Sequence, residues 1–283
     1  MTGAPSASGG RRTPTALTIA GSDSGGGAGV QADLKAFASC GIHGTSAITA
    51  ITAQNTVAVL AVAHVDPQMV LAQVRAVLSD IGVDAVKVGM LGSASVAAAV
   101  ARALEEIPTS TPVVVDPVML AESGARLIEA DAERVLVEQI LPRATVVTPN
   151  LAEARVLAGA EAREAERAGE AEELLRAVLA LGPASVVLTG GHREQAIDLF
   201  LDSQPGSEIV AIAGERHSAG AAHGSGCTHS AVLAAQLALG RDALQAARIA
   251  RSRAGAAVAN GLRDIGAGAG PVDSLGLARA RDR

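Results

Sequence analysis

The sequence predicts one α/β domain built on a mainly parallel central sheet, with helices on both faces and an antiparallel edge. Short Val/Ile/Leu runs alternate with longer amphipathic stretches along almost the whole chain, which is the pattern of successive βαβ units. The runs are followed by Gly, Asp or Pro, as buried parallel strands commonly are. Late in the chain the alternation yields to two apolar runs joined by DSQPGS, a hairpin connection that adds antiparallel strands.

Composition agrees with this class and removes others. With 49% apolar and 18% charged residues and a mean hydropathy of +0.32, a chain of 283 residues buries a substantial core and is neither disordered nor fibrous. No apolar run nears the roughly 18 uninterrupted residues of a membrane-spanning helix, so no membrane partner is expected. The 23 basic and 29 acidic residues leave a net charge of −6, which argues against a nucleic-acid partner. Phe37 and Phe200 are the only aromatics, too few to stack single-stranded bases. Cys40 and Cys227 match neither a disulfide framework nor a zinc pattern, so a reducing cytoplasm is the expected location.

Residues 1–14 read as a flexible leader, 15–276 as a single domain and 277–283 as a C-terminal tail. The strands fall at 16–20, 85–88, 112–115, 144–147 and 185–188, and the hairpin at 196–201 and 208–213. The helices fall near Val30, ending at Gly41, and at 67–79, 93–106, 130–139 and 170–181, with apolar residues three and four apart. EAREAERAGEAEE reads as a solvated helix face. Two further helices, 227–239 and 243–260, stop at Gly240 and Gly261, each placed as a helix C′ residue. Cys40 reads as core packing.

In such a sheet ligands bind beyond the carboxyl ends of the strands, and five segments occupy that position. Gly21 to Gly29 follows the first strand with bare backbone and an approaching helix N-terminus. It lacks the Gly-Lys-Ser/Thr of a Walker A loop and the spacing of GxGxxG, and Asp23 within it offers a carboxylate to an amine or hydroxyl of a ligand. Asp116 follows the third strand, ahead of Pro117, and reads either as a turn starter or as a metal or water ligand. Asn150 and Glu153, three apart, read equally as a capping box and as a pair holding Mg²⁺ near a polyphosphate. Thr189, Gly190, Gly191 and His192 form a weak phosphate-loop signal. His223, Gly224, Ser225, Gly226 and Cys227 lead straight into an apolar helix, so converging amides and the helix dipole make an anion hole. The dipole there is expected to depress the Cys227 thiol pKa, fitting it as base or nucleophile. The six histidines show no metal-ligand spacing.

Taken in order, ALTIAGSDSGGGAGVQADLKAF, ITAITAQNT, VKVGML, VVVDPVML, VVTPNLAEA, TGGH and HGSGCT resemble the hydroxymethylpyrimidine and phosphomethylpyrimidine kinases of thiamin biosynthesis, within the ribokinase-like fold. The resemblance implies ATP- and Mg²⁺-dependent phosphorylation of the hydroxymethyl group of 4-amino-5-hydroxymethyl-2-methylpyrimidine and then of its monophosphate. It implies a homodimer, and it leaves a monovalent-cation requirement open. It places Gly21, Asp23, Gln54, Met90 and Val118 around the pyrimidine. Gln54 is apt, because an amide offers both a donor and an acceptor to an aminopyrimidine edge. It assigns Asp116 and Glu153 to the metal, Asn150, Thr189, Gly191 and His223 to ATP, and Gly224, Ser225 and Gly226 to the anion hole, with Cys227 as the base that deprotonates the substrate hydroxyl. Two positions depart from the family: Glu122 and Thr189 stand where it often has Lys, which motivates an inactive pyrimidine-binding sensor as one alternative. Pyridoxal kinase is the sister alternative, since both substrates are flat nitrogen heterocycles bearing a hydroxymethyl group. A nicotinamide-dependent oxidoreductase, the fold-level alternative, lacks its GxGxxG.

Overall fold

A computed structural model describes residues 12–119, 128–160, 169–190, 196–217 and 221–280. Its strands are β1 (Thr15–Asp23), β2 (His43–Gln54), β3 (Val59–His64), β4 (Ala85–Val88), β5 (Val113–Val115), β6 (Val146–Val147), β7 (Ser185–Leu188), β8 (Ile197–Asp202) and β9 (Val210–Ala213). They form one sheet in the order β3-β2-β1-β4-β5-β6-β7-β8-β9. The six strands from β2 to β7 are parallel, and β8 and β9 add the expected antiparallel edge.

The helices are α1 (Gly29–Ser39), α2 (Pro67–Asp80), α3 (Ala94–Glu105), α4 (Ala130–Val135), α5 (Leu151–Leu157), α6 (Glu170–Leu179), α7 (Ser225–Ala238), α8 (Ala243–Ala259) and α9 (Leu277–Ala280). Local chemistry starts several of them. Asp66 caps α2 through the Gln68 N–H with Pro67 at the first helical position, and Ser93 caps α3. Because successive strand residues point to opposite faces, Val86, Val88, Val113, Val115 and Val147 pack in the core under α2 to α6. Val114, Val146 and Val187 pack in the second core, under α1, α7 and α8.

Three expectations are corrected. A second antiparallel edge, β2 with β3, lies at the opposite side of the sheet and was not assigned from sequence. The segment HGTSAITAITAQ builds β2 from Thr, Ser and Ala rather than from a Val/Ile/Leu run, which hid it. The helix expected over 130–139 is α-helical only to Val135, then passes through a π turn (Leu136–Ile140) into a 3₁₀ turn (Leu141–Arg143) containing Pro142, which has no N–H to donate. Gly240 takes the left-handed conformation of a C′ residue, with φ +81°, but Gly261 is absent from the positive-φ glycines. At Gly261 the constraint is contact, since a Cβ there would run 2.6 Å from the Ala221 methyl.

Candidate active site

The loop after β1 is built around Asp23. Its carboxylate accepts the N–H groups of Gly25 (2.7 Å), Gly27 (3.0 Å) and Ala28 (2.8 Å), and His223 Nε2 lies 3.0 Å from Oδ2. Burial alone raises the Asp23 pKa, but the His223 hydrogen bond and those of Ala28 and Gly25 outweigh it and hold the carboxyl below its ordinary value. Three of the four contacts fall on Oδ2, so only Oδ1 retains capacity for a ligand. The sequence reading missed this organising role. His223, expected at the nucleotide, also ties the segment before α7 to the first loop across 200 residues of chain. The two loops meet at glycines, because a Cβ on Gly27 would strike the His223 ring and one on Gly224 would strike the Gly27 carbonyl oxygen.

Gly224 is the N-cap of α7, with φ +80°. The Ser225 N–H turns back to the Ala222 carbonyl (2.9 Å), and the Thr228 N–H begins the helical ladder on Gly224 (2.9 Å). The Gly226 and Cys227 amides remain as donors without an intrahelical acceptor, an end of the helix that favours negative charge. The expected depression of the Cys227 pKa is reversed: burial pushes the thiol up to about 12, with Asp116 and Asp33 adding to the effect and Lys87 only partly opposing it. Desolvation of the thiolate exceeds what one helix turn supplies.

Asp116 follows β5 and Glu153 lies in the first turn of α5, after β6, both at the carboxyl ends of parallel strands. The capping box is present: Asn150 Oδ1 accepts from Glu153 N–H (2.9 Å) and Glu153 Oε2 accepts from Asn150 N–H (2.9 Å). Burial pushes the Glu153 carboxyl up to about 8, the Asp116 charge adding, while hydrogen bonds from the Asn150 and Met119 amides oppose. A buried carboxyl destabilised by a neighbouring carboxylate suits a divalent cation. Among the described residues no group of three or more His, Cys, Asp or Glu forms a ready metal cage. Thr189 bridges to Asn150, with its N–H on the Pro149 carbonyl (2.8 Å), so the loop after β7 abuts the start of α5. Gly191, His192 and Glu122 lie outside the described residues.

Gly21 and Met90 are neighbours, and a Cβ on Gly21 would collide with the Met90 terminal methyl. Thr49 holds the Met90 carbonyl (2.6 Å) and Thr52 donates to Gln54 Oε1 (3.2 Å), placing β2 side chains next to the first loop. Val118, two residues after Asp116, is partly exposed at the same end of the sheet.

Behind the anion hole lies a charged network that the sequence reading did not identify. Lys87 Nζ lies 3.0 Å from both oxygens of Asp33 on α1 and 3.7 Å from Asp116 Oδ2, and Lys87 and Asp33 are fully buried. Thr18 donates to Asp33 (2.6 Å) and Ser230 of α7 donates to Asp116 Oδ2 (2.9 Å). Burial works most strongly against the Lys87 ammonium, but Asp33, Cys227 and Asp116 together outweigh it, so Lys87 stays charged. The available signal was a lysine inside the otherwise apolar strand AVKV.

Amides free at a helix N-terminus, facing carboxylates at the ends of parallel strands, define a phosphotransferase site on a ribokinase-like kinase fold. The family model for phosphomethylpyrimidine kinase matches residues 23–273, and the chain belongs to that family. The hydroxymethylpyrimidine/phosphomethylpyrimidine kinase of Rhizobium meliloti (strain 1021) is 46% identical over 265 residues, covering 92% of this chain and 96% of the relative. The crystal structure of phosphomethylpyrimidine kinase from Clostridium difficile 630 aligns with a TM-score of 0.72 at 35% identity, over 84% of this chain and 96% of that one. An ADP complex of Bacillus subtilis pyridoxal kinase aligns with a TM-score of 0.81 at 34% identity, over 95% of this chain and 100% of that one.

Proposed function

We propose that this kinase uses ATP and Mg²⁺ to phosphorylate 4-amino-5-hydroxymethyl-2-methylpyrimidine and then its monophosphate to the diphosphate, serving thiamin biosynthesis. The observation that carries this reading is the 46% identity to a pyrimidine kinase over nearly the whole chain, joined to a site with the parts the reaction needs. Gly21, Met90, Val118 and Gln54 receive the pyrimidine, and Asp23, through the loop it organises, shapes that wall. The Gly226 and Cys227 amides hold the transferring phosphoryl group. Asn150, Thr189 and His223 border the nucleotide, while Asp116 and Glu153 would hold Mg²⁺, whose charge would offset that of the phosphates. Cys227 receives the hydroxyl proton as its minor thiolate form, whose own proton has first passed to solvent. Phosphoryl transfer through a loose transition state asks mainly for positioning and charge stabilisation, so a base that is rarely ionised is compatible with it, and the Lys87 charge favours the thiolate. The two free cysteines suit a reducing cytoplasm, and no helix among the described residues is long and apolar enough to cross a membrane.

Pyridoxal kinase is the second reading, favoured by the TM-score of 0.81 to the Bacillus subtilis enzyme. Turnover of ATP with hydroxymethylpyrimidine, its monophosphate and pyridoxal separates the two. Phosphorylation of both pyrimidines, lowered about 10²- to 10⁴-fold in Cys227→Ala, is the expected result. Transfer to pyridoxal alone replaces the reading, and pyrimidine binding without any transfer leaves a sensor.

We also propose that two copies pair through β2 and β3. The edge strand β3 exposes Leu60 (73%) and Val62 (43%), apolar side chains on an open sheet edge that a second copy would cover. Sedimentation is expected to give a dimer that Leu60→Glu converts to monomer, and a monomeric parent chain would end this proposal.

A further inference from the structure

The hydroxyl of Ser230 lies within 2.9 Å of Asp116 Oδ2, 3.0 Å of the Gly226 carbonyl and 3.1 Å of the Cys227 carbonyl. A helical serine commonly bonds back to the preceding turn, but here a carboxylate competes for the same proton, and a charged acceptor makes the stronger bond. Ser230 is fully buried and stands one turn after Gly226 on α7. The other neighbour of Oδ2 is the Lys87 ammonium at 3.7 Å, which is itself gripped by both oxygens of Asp33. Oδ2 therefore faces a hydroxyl from α7 and a cation from β4, while no described residue donates to Oδ1. Gly89 completes the arrangement, since a Cβ there would stand 2.8 Å from Lys87 Nζ.

We infer that Ser230, with Lys87 behind it, is a positioning residue that fixes Asp116 against the first turn of α7, holding the metal-binding carboxylate and the phosphoryl-binding amides in register. This rests on the assignment of Asp116 to Mg²⁺ made above. Ser230 touches neither substrate nor metal and acts through Asp116. The carboxylate would otherwise turn about its Cα–Cβ and Cβ–Cγ bonds, and the hydroxyl bond selects one rotamer. Partners that orient metal ligands in this way typically change metal affinity or activity by about 10- to 100-fold when removed.

The test compares the parent chain with Ser230→Ala and Ser230→Thr. Mn²⁺ binding in the presence of a non-hydrolysable ATP analogue is followed by electron paramagnetic resonance, alongside kcat, KM for the pyrimidine and the unfolding temperature. Ser230→Ala is expected to bind Mn²⁺ roughly tenfold more weakly and to lose a similar factor in kcat, with KM for the pyrimidine and the unfolding temperature near the parent values. Ser230→Thr keeps the hydroxyl and is expected to retain Mn²⁺ binding. Parent-like Mn²⁺ binding in Ser230→Ala overturns the inference, as does a Ser230→Thr variant that falls as far as Ser230→Ala. If the parent chain binds no Mn²⁺ with nucleotide, the metal assignment and this inference fail together. If Ser230→Ala weakens Mn²⁺ binding in a parent chain that phosphorylates no pyrimidine, the positioning role stands and the pyrimidine reading fails.

Discussion

Replacing Lys87 by methionine removes one charge from the core while nearly keeping its volume. In the parent chain the ammonium sits 3.0 Å from each Asp33 oxygen with both side chains fully out of solvent, and it lies 3.7 Å from Asp116 Oδ2. Without it Asp33 keeps only the Thr18 hydroxyl and Asp116 keeps the Ser230 hydroxyl. Breaking one side of a buried pair costs about 3–5 kcal/mol, because a desolvated charge is left uncompensated. At about 2–4 °C per kcal/mol for a chain of this class, the unfolding temperature drops by roughly 10 °C. The deficit is expected to grow with pH. Burial already raises the Asp33 pKa above 3.8, and Lys87 is the first of the influences lowering it. A native carboxyl with a raised pKa is favoured protonated, so stability is fullest below the unfolded pKa and is lost as pH rises through the folded one. Urea unfolding at pH 5 and pH 8 reads both effects. Lys87→Met combined with Asp33→Asn is expected to recover more than half of the loss without restoring kcat. A Lys87→Met chain within about 1 kcal/mol of the parent at pH 8, or a double variant no more stable than the single one, would refute the reasoning.

Gly224→Ala places a side chain at φ +80° and against the Gly27 carbonyl, so turnover is expected to fall more than tenfold. Gly240→Ala, at φ +81° with open space around it, is expected to lose only about 1 kcal/mol of stability and keep its kcat. Equal losses of turnover in the two would show that contact between the loops is immaterial. Cys227 is half-buried, and with its thiol pushed up to about 12 it holds far less thiolate at pH 8 than a free cysteine does. Mass spectrometry after iodoacetamide should find it labelled correspondingly slowly, and labelling at the free-thiol rate would contradict the burial argument. Asp23, with its pKa held below 3.8, contributes stability that is present above that value and lost as pH falls through its folded pKa. Asp23→Asn is therefore expected to flatten the stability curve below pH 4, and an unchanged acid slope in urea titrations counts against the Asp23–His223 link.

Much of the fold and part of the site could be read from local pattern. Strands β4 to β7 and the edge pair β8 and β9 were legible because Val and Leu runs bounded by Gly, Asp and Pro report burial on both faces. The capping box of Asn150 and Glu153 was legible because its partners lie three residues apart. Strand β2 was not, because a sheet position filled by Thr and Ala takes its burial from neighbours far along the chain.

The chain by itself determined the layered α/β class, the glycine-rich turns after β1 and before α7, and the residue types gathered at the strand ends, since each depends on periodicity or on backbone freedom within a few residues. Only the tertiary structure decided what those residues do to one another. Asp23 and His223 meet across 200 positions, Lys87 finds Asp33 across 54, and Ser230 reaches Asp116 across 114. The direction of the Cys227 shift was decided in the same way: a helix terminus is a local feature that favours the thiolate, whereas desolvation and the Asp116 and Asp33 charges arise only once the packed chain surrounds the sulfur.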